Sequence, residues 1–254
     1  MLRKAGDLFA QFNDELREGR LSANRSQPIG AGTYGVVYQS DVPGRVIKQN
    51  HPGGYATPES MTKEADLQDV AAALGISPRV HSIERFPEGT TRIEMDDVRK
   101  NFAPRFTGGQ YPKGTDAIRH EQQMGQLALQ GVRVDDRHAG NVLYNKMTGR
   151  PLQLDFGIAQ RVTGEDQVSA LADATERGLA AAGLPDEGAM VSEIVYDYLA
   201  GGQVAEAMDI AKQGFSRLQK IKQPVTQNTM DPEDLAYHKM PKMMEAQARE
   251  RGLV

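Results

Sequence analysis

Apolar positions recur at helical spacing in residues 4–18, where Ala5, Leu8, Phe9, Phe12 and Leu16 share one face and Gly19 marks a stop. From about residue 26 to 98 the rhythm changes to short apolar runs divided by glycine and proline. These predict strands over Ser26–Ile29, Val36–Ser40 and Arg45–Gln49, joined by turns at Gly30–Gly35 and Asp41–Gly44. Thr57 as N-cap and Pro58 at the first helical position open a helix that ends near Gly75. Val80–Phe86 and Thr91–Met95 read as two more strands around the Pro87–Glu88–Gly89 turn. Beyond Asp97 the pattern is mainly helical: Asp116–Leu129, Asp166–Ala182, Glu187–Leu199 and Val204–Ile221, with short strands on either side of Lys146–Arg150. A polar stretch, Gln223–Thr229, precedes a last short helix near Pro232–Arg249.

The class this implies is α+β, strand-rich first and helical afterwards. It divides into an N-terminal helical extension (1–25), a strand-rich part (26–96) and a helical part (97–254). Composition alters that picture little. Lys and Arg total 30 against 34 Asp and Glu, a formal charge of -4, which supplies no general drive toward nucleic acid or an anionic membrane. The mixed charges of the first helix point to packing against the body rather than to a membrane surface. There is no cysteine, which removes disulfides, thiol chemistry and cysteine-ligated zinc. Asp7, Asp14 and Glu15 interrupt the N-terminal stretch and argue against a signal peptide, and no segment has the length of a membrane span. A cytoplasmic protein is the expectation, with delivery into a host cell the further route if the chain is an effector.

The first candidate chemistry lies in Ile29-Gly30-Ala31-Gly32-Thr33-Tyr34-Gly35-Val36-Val37-Tyr38. Glycines at this spacing let backbone N–H groups approach phosphate oxygens without side-chain obstruction. A plain hairpin turn, or a dinucleotide-binding loop, has the same spacing. The β-branched run after Gly35 predicts a strand and argues against the dinucleotide fold, whose third glycine opens a helix. On the next strand Val46 and Lys48 share one face and Ile47 takes the other. If that face meets a nucleotide, Val46 packs on the base and Lys48 reaches the phosphates; otherwise Lys48 is a solvated strand lysine. Glu64 falls with Leu67, Ala71 and Leu74 on the apolar stripe of its helix. A carboxylate placed there wants a cationic partner, and Lys48 is the natural one. Glu59, near the first turn, is the weaker substitute.

The second lies in Gly131-Val132-Arg133-Val134-Asp135-Asp136-Arg137-His138-Ala139-Gly140-Asn141-Val142-Leu143, a polar run between a helix and a short strand. After the next turn, Leu152-Gln153-Leu154-Asp155 ends before Phe156 and Gly157. Asp155 and the Asn141 amide oxygen would ligate a divalent metal on phosphates, and Asp136 would orient a hydroxyl and accept its proton. Hard oxygen ligands suit Mg²⁺, with Mn²⁺ as a substitute. Asp135 is expected to brace the loop.

Taken in order, these segments resemble the protein kinase superfamily over roughly residues 26 to 160. Gly30-x-Gly32-x-x-Gly35-x-Val37 resembles its glycine-rich loop, Lys48 its strand lysine and Glu64 the helix partner. Asp136-x-x-x-x-Asn141 is similar to the catalytic loop, and Asp155-Phe156-Gly157 to the metal-binding triplet. The resemblance implies a bilobal fold with a reduced, mainly helical second lobe, and transfer of the terminal phosphoryl group of ATP to a protein Ser or Thr. It also implies ATP contacts from Ile29, Gly30, Gly32, Thr33, Tyr34, Gly35, Val37 and Val46. Met95 would be the gatekeeper, Asp96 and Val98 would face the adenine edge, and Leu143 would lie beneath the base.

Several positions depart from that pattern. Val134 and Asp135 stand where the family usually has His and Arg, which argues against control by a phosphorylated activation segment. His138 replaces a lysine often found near the transferred phosphate, leaving it either to donate there or to brace the loop. No Ala-Pro-Glu follows Gly157, there is no tryptophan, and the stretch from Gly157 to Val254 predicts a compact or rearranged helical lobe. The alternatives are a small-molecule kinase with a small hydroxylated substrate, a nucleotidyltransferase on the same scaffold, and a nucleotide-binding pseudokinase. Oligomeric state is left open by the sequence.

Overall fold

The computed structural model describes residues 28–32, 34–51, 54–105 and 114–221. The expected helices over 4–18 and 232–249, the 223–229 stretch and the site residue Thr33 lie outside the described residues. The chain divides into two units. Unit 1 runs to Phe102 and takes in Leu152–Ile158; unit 2 takes Ala103–Pro151 and everything from Ala159 onward.

Unit 1 is built on a five-stranded antiparallel sheet: β1 (Gly30–Gly32), β2 (Gly35–Gln39), β3 (Arg45–Gln49), β4 (Val80–Arg85) and β5 (Thr91–Asp96), in the order β1-β2-β3-β5-β4. Helix α1 (Pro58–Ala73) lies in sequence between β3 and β4 and packs on β4 and β5. It starts where the sequence places it. Thr57 Oγ1 accepts the Ser60 N–H at 3.2 Å while Ser60 Oγ accepts the Thr57 N–H at 2.9 Å, a reciprocal cap worth about 1 kcal/mol. Alternation on β3 puts Val46 and Lys48 in the interior with Met61 and Ala65 of α1, Ile93 and Met95 of β5, and Ala56; Tyr34 and Val37 pack at the margin of this cluster.

The first strand departs from expectation. It falls on Gly30–Gly32, where a turn was expected, because the ladder pairs Gly30 with Val37, Ala31 with Val36 and Gly32 with Gly35. Only two positions remain between the paired Gly32 and Gly35, so the glycine run is mostly strand. Gly35 is there for a close approach: a Cβ on it would lie 2.3 Å from the Gln49 carbonyl oxygen of β3.

Unit 2 is mainly helical, with α2 (Gly114–Leu129), α3 (Gly164–Ala181), α4 (Pro185–Ala200) and α5 (Val204–Lys220). Val168, Leu171, Leu179, Ile194, Phe215 and Leu218 are at the centre of its apolar core. Short strands, β7 (Val132–Arg133) and β10 (Gln160–Arg161), pair antiparallel and were not expected from the sequence; nor was β6 (Phe102–Ala103). Strands β8 (Val142–Asn145) and β9 (Pro151–Gln153) flank the expected turn, closed by the Gly149 N–H on the Asn145 carbonyl at 2.8 Å. Among the described residues no helix is long and apolar enough to cross a membrane.

Candidate functional site

The sequence asks for a cation beside Glu64, and the structure supplies it. Lys48 Nζ donates to Glu64 Oε1 at 2.5 Å and to Asp155 Oδ1 at 3.2 Å. All three groups lie in unit 1, because the segment bearing Asp155 is tied there. The Gln153 N–H donates to the Ile76 carbonyl at 2.8 Å, Phe156 is buried, and the Phe156 N–H donates to the Glu64 carboxylate. Asp155 Oδ1 also accepts the Gly157 N–H at 2.9 Å, which closes a tight turn over Asp155-Phe156-Gly157.

Two carboxylates converge on one ammonium. For Lys48, burial is the largest influence and opposes its charge, but Glu64 and Asp155 together outweigh it and hold the pKa above the usual lysine value. For Glu64, burial again comes first and raises the carboxyl pKa; Lys48 opposes the rise and Asp155 adds to it. The two shifts pull opposite ways on the pair. Both carboxylates favour the charged form of Lys48, while Glu64 sets the attraction of Lys48 against its own burial and the nearby Asp155. Asp155 is the member with an open side, its side chain 30% exposed against 2% for Glu64. Glu59, the substitute partner, is exposed in the first turn of α1.

The remaining unit 1 candidates line the same sheet. Val46 pairs with Met95 and Val37 with Lys48 across the ladder, so these four share the face that carries the cluster. Met95 is buried and its sulfur accepts from Gln68 Nε2 at 3.5 Å. The Asp96 N–H donates to the Arg79 carbonyl at 3.0 Å and its carboxylate meets His81 at 2.7 Å. The Val98 carbonyl accepts the N–H groups of Asn101 and Phe102, turning the chain after β5. Ile29 and Gly30 to Gly32 are exposed, Tyr34 is half-buried, and none of the described residues comes within 4 Å of where a Cβ on Gly32 would be.

Unit 2 holds the Asp136 loop. His138 Nδ1 accepts the Gly140 N–H at 3.0 Å, which leaves the proton of a neutral imidazole on Nε2, 3.3 Å from Asp136 Oδ1. His138 therefore braces the loop and orients the carboxylate. The Asn141 N–H donates to the His138 carbonyl at 2.9 Å, and Asn141 Nδ2 reaches the Asp136 carbonyl at 3.4 Å. Asp135 meets Arg133 of β7 at 2.9 Å and Gln160 of β10 at 3.2 Å, a bracing position across the two-stranded ladder. Leu143, half-buried, alternates with the buried Val142 and Tyr144 on β8.

One charged residue of this loop escaped the sequence reading. Arg137 is buried and reaches Glu121 of α2 and Asp173 of α3. Its signal lies in the sequence: Glu121 shares an apolar stripe with Ile118, Gly125 and Ala128, the same placement that singles out Glu64. Among the described residues no group of three or more His, Asp or Glu side chains could hold a metal by itself.

No family model matches the sequence, and no curated protein matches it. The solved structures to which the chain is similar include protein kinases. A point mutant of the Mycobacterium tuberculosis PknI kinase domain shares 18% identity at a TM-score of 0.48, over 77% of this chain and 94% of that one. A second structure of the PknI kinase domain shares 20% at 0.43, over 62% and 72%. The Cydia pomonella granulovirus kinase PK-1 shares 13% at 0.43, over 68% and 74%. Each likeness covers only part of this chain.

Proposed function

We propose that this chain is a kinase that transfers the terminal phosphoryl group of ATP to a hydroxyl of a protein Ser or Thr. The observation that carries the reading is Lys48, buried and bridging Glu64 and Asp155. A lone structural ion pair would not need the second, part-exposed carboxylate, and burying the Lys48–Glu64 pair is costly without a use for it. In this reading Lys48, held in place by Glu64, clamps the phosphates by its charge. Gly32, with open space around it, lets the backbone approach the nucleotide.

Two carboxylates converging on one ammonium and the exposed side of Asp155 fit a divalent cation. Asp155 would supply an oxygen ligand for it, and a site with few protein ligands suits Mg²⁺, whose shell is completed by phosphates and water. When bound, the metal neutralises charge on the phosphates. Asp136, oriented by His138, accepts the proton of the incoming hydroxyl.

The test is labelling with γ-³²P-ATP and, separately, α-³²P-ATP, with product mass. Gamma label on a protein acceptor is the expected result. Label from the alpha position would replace kinase chemistry with nucleotidyl transfer, and label on a small hydroxylated molecule would replace the protein acceptor. Lys48→Ala and Asp155→Ala should each lower transfer by roughly 100-fold or more; undiminished transfer in both would remove the proposed site.

A further inference from the structure

Beside Asp136, the side chain of Arg137 turns inward. It is 7% exposed, and its Nε donates to the Val134 carbonyl at 2.8 Å. Its Nη1 lies 3.1 Å from Glu121 Oε2 on α2 and 2.9 Å from Asp173 Oδ2 on α3. One guanidinium thus ties the start of the loop to two helices that are far apart in sequence. A planar fork with several donors suits this better than an ammonium, which offers a single point charge. The loop alternates accordingly: Val134 and Arg137 are buried, while Asp135 is exposed and Asp136 partly so. The inward side chains anchor the backbone, and the outward ones are left for chemistry.

We infer that Arg137 is a positioning residue: gripped by Glu121 and Asp173, it fixes the Val134–Asn141 backbone so that Asp136 presents its carboxylate to the acceptor hydroxyl. The inference rests on the reading of Asp136 as proton acceptor. It assigns α3 a part in the chemistry, since Asp173 is the only one of the two carboxylates that also faces solvent, where it meets Arg177 at 2.9 Å. Glu121 is buried at 10% side-chain exposure and would keep only the longer contact to His120, at 3.6 Å, if the guanidinium were removed.

Arg137→Met removes the anchor and endangers folding, so Arg137→Lys and Asp173→Asn accompany it, the latter at a half-exposed position. Two readouts are taken on the full chain: backbone hydrogen exchange over residues 134–141, and steady-state release of ADP from ATP with Mg²⁺. Faster exchange in that segment is expected for Asp173→Asn and Arg137→Lys. Their kcat should fall roughly 10- to 100-fold, as for a misplaced catalytic group, with the KM for ATP unchanged. Arg137→Lys should retain more activity than Arg137→Met. Exchange equal to the parent's in both milder variants overturns the inference, as does a raised KM with unchanged kcat. A parent chain that releases no ADP overturns the kinase reading and the catalytic part of this one. The exchange measurement then still decides whether Arg137 orders the loop.

Discussion

Unit 1 converges two carboxylates on one buried lysine, whereas unit 2 pairs its buried arginines with carboxylates, Arg137 with Glu121 and Arg217 with Glu187, beside a large apolar helical core. In unit 1 an ammonium and a carboxylate occupy positions that sheet and helix periodicity would give to apolar side chains. In unit 2 small residues let helices approach closely: a Cβ on Gly125 of α2 would lie 2.1 Å from the Phe215 ring of α5. The difference teaches where to look for function. A buried charge cluster lowers stability relative to an apolar replacement and is retained for another reason, while an apolar core explains itself by packing.

The sharpest way to break this comparison is Lys48→Met. It leaves Glu64 buried without its cation, a loss of about 3–5 kcal/mol at neutral pH. Burial already holds the Glu64 pKa above its ordinary 4.5, and losing Lys48 raises it further. A group whose folded pKa is raised stabilises the fold below the unfolded value and loses that contribution as pH rises through the folded one. The variant should therefore regain stability on acidification, and adding Glu64→Gln should restore much of it at neutral pH. Thermal unfolding across pH measures both; a pH-independent deficit would show that Glu64 is not the orphaned charge.

Smaller effects separate packing from ligand contact. Gly35→Ala and Gly125→Ala should each cost about 1–3 kcal/mol, since the new methyl meets a backbone carbonyl in one case and a buried ring in the other. Gly32→Ala, with open space around it, should change stability by no more than about 0.5 kcal/mol, yet weaken Mg·ATP binding measured by calorimetry. Equal stability losses at Gly32 and Gly35 would erase the distinction between a glycine kept for the sheet and one kept for the nucleotide.

Much of this was legible in the sequence, and the failures have physical causes. Thr57 and Pro58 fixed the start of α1, because capping is a local interaction between neighbours. Alternation over Arg45–Gln49 assigned Val46 and Lys48 to one face correctly, since strand periodicity is local too. Glu64 was found because a charge on an apolar stripe is a local anomaly that demands a distant partner. Glu121 presents the same anomaly, but its partner, Arg137, sits in a polar loop where a cation looks ordinary. The glycine run was read as turn because glycine favours turns; pairing with Gly35–Val37 overrides that preference. The return of Leu152–Ile158 to unit 1 depends on the Gln153–Ile76 hydrogen bond, a long-range contact without local signal.

The smallest predicted effect concerns a carboxylate in unit 1 of the opposite kind. Glu94 lies on β5, where its carboxylate accepts from Ser40 Oγ at 2.6 Å and pairs with Arg45 at 2.8 Å. The Ser40 hydroxyl first, then Arg45, holds its pKa below the ordinary 4.5. A group depressed in the folded state contributes stability that is present above its unfolded value and is lost as pH falls through the folded one. Arg45 is one-third exposed, so solvent screening keeps that contribution below about 1 kcal/mol. Glu94→Gln should lower the melting temperature slightly at pH 7, and the gap to the parent should close below pH 4. That is the reverse of the trend expected for Lys48→Met. If both variants moved the same way with pH, burial would not be what distinguishes Glu64 from Glu94, and the contrast between a costly interior charge and a solvated one would fail within unit 1 itself.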